Sequence, residues 1–155
     1  MTNIEKEIRQ GKYYSAYNDL NKIGYVYSIE NLMHDLPHIN SMEKYCFLMY
    51  AISRNETSQL HMSICELLMF DPFFHYVYPL VYWHIQKAII LSPSDYTIKE
   101  WVLDTFSSSP DSPFTDEELY HYAQSIIRSC PNNVTAQDIV CLLYTSPSPR
   151  DLSTS

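Results

Sequence analysis

Apolar residues recur along this chain at helical spacing. The clearest case is residues 79–106, PLVYWHIQKAIILSPSDYTIKEWVLDTF. Before Ser92 the apolar positions are Val81, Ile85, Ala88 and Ile89; after Asp95 they are Ile98, Trp101, Val102 and Phe106. Both runs approximate the i, i+3/i+4, i+7 pattern that lines one face of a helix. Ser92-Pro93-Ser94-Asp95 separates them. Pro93 lacks an N–H and pushes Ser92 out of helical geometry, and Asp95 or Ser94 can accept from the unpaired N–H groups of the next helix. The second run is expected to fold back on Ile85 and Ala88, with Trp101 in the core.

The same grammar runs through the rest of the chain. Two short helical runs flank Gly11, with Ile4 and Ile8 before it and Tyr13, Ala16, Tyr17 and Leu20 after it. Ser28 is placed to cap a helix over 29–36 that Pro37 ends. Asn40 with Glu43, and Thr115 with Glu118, have the spacing of capping boxes. The first opens a helix expected to present Tyr45, Leu48, Met49 and Ile52 on one face. The second opens one presenting Leu119, Tyr122, Ala123, Ile126 and Ile127. Between them Leu60, Ile64, Leu67 and Leu68 carry a helix to Phe70, which Asp71-Pro72 ends. Pro131-Asn132-Asn133 launches the last helix. The pattern predicts an all-α protein.

Helix, proline, two polar residues and helix recur at SPSD and CPNN, and Pro93 and Pro131 lie 38 residues apart. Helical repeats have periods of about 34 to 47 residues. Ala88 stands five residues before Pro93, and Gly11-Lys12-Tyr13-Tyr14-Ser15-Ala16 is similar to the start of a second repeat helix, with a glycine allowing close approach and a small alanine at the crossing. On these residues 3–140 resemble a tetratricopeptide-like helical-repeat protein. The resemblance implies antiparallel helix pairs forming a short solenoid, as one domain over 1–140. The matching positions Ile126 and Leu67 are not alanine, so the repeats are degenerate. The stretches FLMYAISRNET, YWHIQKAIILSPSDYTIKEWVL and DSPFTDEELYHYAQSII, in a small, acidic, tyrosine-rich chain, also resemble the immunity-type proteins of bacterial polymorphic toxin systems. That resemblance implies neutralisation of a basic toxin by occlusion.

The last fifteen residues depart from the pattern. Cys141 to Asp151, CLLYTSPSPRD, resembles one reading frame of a transposase-type sequencing adapter over eleven consecutive residues. Residues 141–155 are therefore expected to be an artefactual disordered tail, with helical periodicity ending near Val140 and the natural C-terminus missing.

Composition narrows the function. The net charge of −8 argues against nucleic acid and anionic membrane surfaces and fits a basic protein partner. The charged start MTNIEKEIRQ has no apolar stretch behind it, so a cytoplasmic location is expected. Cys46, Cys65 and Cys130 read as small core residues in a reducing compartment. Two glycines in all leave no phosphate-cradling loop. His34 and His38 have chelating spacing, but Pro37 unwinds the turn between them. His61, His75, His84 and His121 are scattered, and Asp116-Glu117-Glu118 reads as helix capping. No catalytic residue, metal or cofactor is assigned. The aromatic stretch FFHYVYPLVYWH remains. Phe73, Phe74 and Trp83 are expected in the core and Tyr76 and Tyr82 outside. The candidate partner-binding residues are Tyr76, Tyr78 and Tyr82 as anchors, with Asp71 on the rim. The expected function is a non-catalytic protein–protein interaction module. The alternatives are a repeat fragment of a larger scaffold or regulator, and a small hydrolase.

Overall fold

A computed structural model of the chain describes residues 1–71 and 74–145, which form nine α-helices and, among the described residues, no strand. In order these are α1 Asn3–Arg9, α2 Tyr13–Lys22, α3 Ile29–Asp35, α4 Ser41–Arg54, α5 Ser58–Phe70, α6 Tyr78–Leu91, α7 Tyr96–Phe106, α8 Asp116–Ser129 and α9 Val134–Thr145. The all-α expectation holds. Among the described residues no helix is long and apolar enough to cross a membrane. Phe73, Pro72 and residues 146–155 lie outside the described residues.

Local chemistry sets the helix ends. Thr2/Glu5, Asn40/Glu43 and Thr115/Glu118 each form a complete capping box, and Ser28, Thr57 and Asp95 cap α3, α5 and α7 through their side chains. Gly11 and Gly24 end α1 and α2 at φ +71° and +68°. After α1, the N–H groups of Gly11 and Lys12 donate to Ile8 and Glu7; after α2, those of Gly24 and Tyr25 donate to Asn21 and Leu20. That pairing needs a left-handed residue just past the helix. The space where either glycine would carry a Cβ is open. Gly11 thus supplies backbone conformation, where the repeat resemblance had implied a close helix approach.

The chain falls into two compact units, Met1–Ser92 and Pro93 onward, divided inside the proline turn. In the first unit α5 and α6 form the most extensive pairing; α1 packs on α2, both reach α4, and α5 also meets α3 and α4. Ile8, Ala16, Leu32, Leu48, Ile64 and Ile85 are buried at its centre. The buried face of α4 is rotated from the expected one. Phe47, Leu48 and Ala51 are buried, and Tyr45, Met49 and Ile52 are only half-buried. The cause is an aromatic layer. Tyr13 and Tyr27 bring their rings to 6.0 and 6.3 Å from Phe47, and Tyr13 and Tyr17 reach Tyr50. Glu5, fully buried, accepts from the backbone N–H groups of Thr2 and His38 (2.5 and 3.0 Å), tying α1 to the loop after α3.

In the second unit α7, α8 and α9 all pack on one another. Ile98, Val102, Leu103 and Phe106 of α7 meet a core that includes Phe114, Leu119, Ala123 and Ile126, with the Phe106 and Phe114 rings 5.3 Å apart. Trp101, expected in this core, is half-buried and edge-on to Phe106 at 6.1 Å. Its side of α7 is offset from the Ile98–Val102–Phe106 stripe. Asn133 accepts from the Ala136 N–H at the start of α9 and donates to Glu100 on α7. The last helix runs through Cys141 to Thr145, so helical geometry does not end at Val140 as expected.

Candidate functional site

The residues singled out in the aromatic stretch occupy the α5–α6 connection and the first turns of α6. Asp71 caps the C-terminus of α5 with its N–H, and its carboxylate accepts from the Ser41 hydroxyl at the start of α4. Asp71 is thus half-buried and engaged. Tyr76 is wholly exposed and has φ 56°, the one non-glycine among the described residues with positive φ. Tyr78 and Tyr82 are half-buried, so Tyr82 is less exposed than expected. Phe74 is half-buried, 6.2 Å from the Tyr45 ring. Trp83, expected in the core, is 45% exposed. Val81, His84, Ile85 and Ala88 take the inner face of α6, and one helical step moves Trp83 to its margin.

Beneath Trp83 lies a constellation that the spacing of the sequence did not assemble. His61 on α5 and His84 on α6 are both completely buried, and their Nδ1 atoms are 2.8 Å apart. His61 Nε2 is 3.0 Å from Glu56 Oε1, in the turn before α5. Lys87 Nζ is 3.8 Å from the same carboxylate oxygen and 5.5 Å from the centre of the Trp83 ring. Trp83 stands edge-on to both imidazoles, at 5.8 and 4.8 Å.

The donor and acceptor capacities of the three groups assign the protons. An ionised Glu56 only accepts, so His61 carries its proton on Nε2 and donates to it. His61 Nδ1 is then a bare lone pair, and His84 Nδ1–H donates to that lone pair. His84 Nε2 is left as an acceptor, buried and, among the described residues, without a hydrogen-bond partner. Burial lowers the pKa of both rings. For His84, burial first and the neighbouring His61 second bring it to about 4. For His61, burial outweighs the hydrogen bond and charge of Glu56, and Lys87 adds to the lowering.

Two neutral imidazoles and a carboxylate in a row form a proton path in outline. Its inner end has no solvent access, so a dissolved substrate does not reach His84 Nε2 in this conformation. Among the described residues no group of three or more His, Cys, Asp or Glu side chains is arranged to hold a metal ion. His34 pairs with Asp35, while His38 uses its backbone N–H on Glu5. Cys65 is buried, Cys46 and Cys130 are half-buried, and all are free thiols. One signal of the histidine pair was present in the sequence. His61 lies three residues before Ile64, and His84 lies three after Val81 and four before Ala88, so each shares the apolar face of its helix.

No protein-family model, no curated protein and no solved structure matches this chain.

Proposed function

We propose that this chain is a non-catalytic protein-interaction module, a short run of tetratricopeptide-like helix pairs whose α5–α6 connection docks on a basic protein. The observation that carries the reading is Tyr76. Holding a tyrosine at positive φ costs on the order of 1 kcal/mol, and such strain tends to persist at functional positions. Here the strained residue is an aromatic turned wholly into water. Tyrosine anchors bury much area with little loss of side-chain entropy. The net charge of −8 favours a cationic partner by raising the rate of encounter. Contacts between α2 and α4, α3 and α5, and α7 and α9 support a repeat arrangement, because stacked helix pairs bring each helix against the next but one. Occlusion of a basic toxin in a bacterial cytoplasm is the most specific form of this reading.

One observation favours the hydrolase reading, the Glu56–His61–His84 row; the sealed inner nitrogen weighs against it. The test is capture of a partner from the native host by immobilised protein, followed by a salt titration. A basic protein that elutes as salt rises, and that Tyr76→Gly no longer retains, supports the module. Glycine relieves the backbone strain, so the fold is preserved. Small-molecule turnover that vanishes with His61→Gln, with no protein partner, overturns it.

A further inference from the structure

A small groove lies between α3 and α5 in the first unit. Its walls are Ile29, Met33, Glu66, Leu67, Phe70 and Asp71, and it encloses about 160 Å³, room for one large aliphatic side chain. Met33 and Phe70 are 51% and 69% exposed, although both are large and apolar. Two carboxylates and no basic side chain line it. Lys44 stands behind Met33, with Nζ 3.3 Å from the Met33 sulfur, and is itself buried beside Asp71 and Glu5.

The two carboxylates differ. Asp71 accepts from Ser41. Glu66 is half-buried, and the described residues give it neither a hydrogen-bond donor nor a cation. Burial alone raises its pKa. A half-buried carboxylate in an apolar wall is costly unless a donor or cation meets it. Among the described residues no side chain does so, and two large apolar side chains beside it are also uncovered.

We infer that this groove receives a segment of a partner protein in which a large aliphatic residue lies next to Lys or Arg. The aliphatic side chain fills the space between Met33, Leu67 and Phe70. The basic group pairs with Glu66, its own methylenes covering Phe70. A neutral or acidic apolar segment leaves Glu66 unpaired or repelled, which gives the groove its selectivity. This inference rests on the reading of the chain as an interaction module and adds the chemistry of the docked segment.

The test uses the full chain, labelled with nitrogen-15, and three ten-residue peptides alternating Leu/Lys, Leu/Glu and Ser/Lys. The Leu/Lys peptide is expected to shift amide signals of Ile29, Met33 and 66–71. Its affinity should fall as salt rises and fall about tenfold in Glu66→Gln, the size of losing one hydrogen bond to a charged group. Glu66→Gln is close in shape and removes an unpaired charge; Phe70→Ser, at an exposed position, is the second variant, and circular dichroism checks both folds. Equal binding of Leu/Glu or Ser/Lys, shifts confined to other residues, or an unchanged affinity in Glu66→Gln overturns the groove. The wider reading fails separately. A host protein retained in a Tyr76-dependent manner, with no Leu/Lys binding, leaves the module and removes the groove. Leu/Lys binding at the groove, with no protein captured from the host, leaves the site and removes the module.

Discussion

The interiors of the two units are made of different materials. Met1–Ser92 buries Glu5, Ser41, Lys44, His61, Ser63 and His84 among its apolar residues. From Pro93 onward, every buried side chain among the described residues is apolar. An apolar interior depends on packing alone and responds little to pH. A polar interior depends on every donor meeting an acceptor and every buried titratable group staying in one protonation state. The first unit is therefore the one whose stability a change of solution conditions alters, and it also carries Tyr76 and the α3–α5 groove.

The largest expected effect lies in the apolar unit. Phe106 is 1% exposed and packs on Phe114. Phe106→Ala should cost about 3–5 kcal/mol in urea unfolding. A cost near that of a surface change, about 0.5 kcal/mol or less, would mean that the second unit has no packed centre at this ring.

Acid should separate the two units next. Burial, and then His61, hold His84 to a pKa of about 4 in the folded chain, against 6.5 for an ordinary histidine. The unfolded chain therefore takes up the proton first as pH falls. The stabilisation is whole above pH 6.5, declines between 6.5 and about 4, and is gone below. The swing is on the order of 3 kcal/mol. His61 shifts the same way and adds to it. Each unit holds one tryptophan, Trp83 in the first and Trp101 in the second. In Trp101→Phe the remaining fluorescence reports on the first unit, and in Trp83→Phe on the second. Unfolding midpoints should fall across this range for the Trp83 signal by more than for the Trp101 signal. Equal falls would break the comparison.

Much of the fold is legible in the sequence because its causes are local. A cap needs one side chain within three residues of an N–H, so Asn40/Glu43, Thr115/Glu118, Ser28 and Asp95 can be read directly. The buried face of α4 is not local: tyrosines from α2 and from the segment before α3 decide it, which is why Phe47 and not Tyr45 is inside. Trp101 and Trp83 show the same limit, since periodicity names a stripe but not how wide the neighbours make it. The site was legible in part. Tyr76 stands exposed as expected, yet Asp71 is held by Ser41 and Trp83 is outside. The histidine pair joins positions 23 residues apart on two helices, and no short-range rule brings them together. A single acid on a helix, such as Glu66, reads in sequence as part of the solvated side.

Smaller effects sharpen the account. Thr115→Ala breaks the capping box at the start of α8 and should cost about 1 kcal/mol, in the apolar unit alone. Tyr76→Gly should leave stability unchanged or raise it by up to about 1 kcal/mol, since glycine adopts positive φ freely. A loss of that size instead would mean that the Tyr76 ring contributes packing in spite of its exposure.

The most direct test of the polar interior is nuclear magnetic resonance of the imidazole rings, using long-range proton–nitrogen correlations followed through a pH titration. The account predicts His61 with its proton on Nε2 and His84 with its proton on Nδ1. It also predicts that His84 stays neutral well below pH 6.5 and titrates near 4. Two rings that titrate near 6.5, each as a rapidly exchanging mixture of tautomers, would contradict it and place both histidines in water.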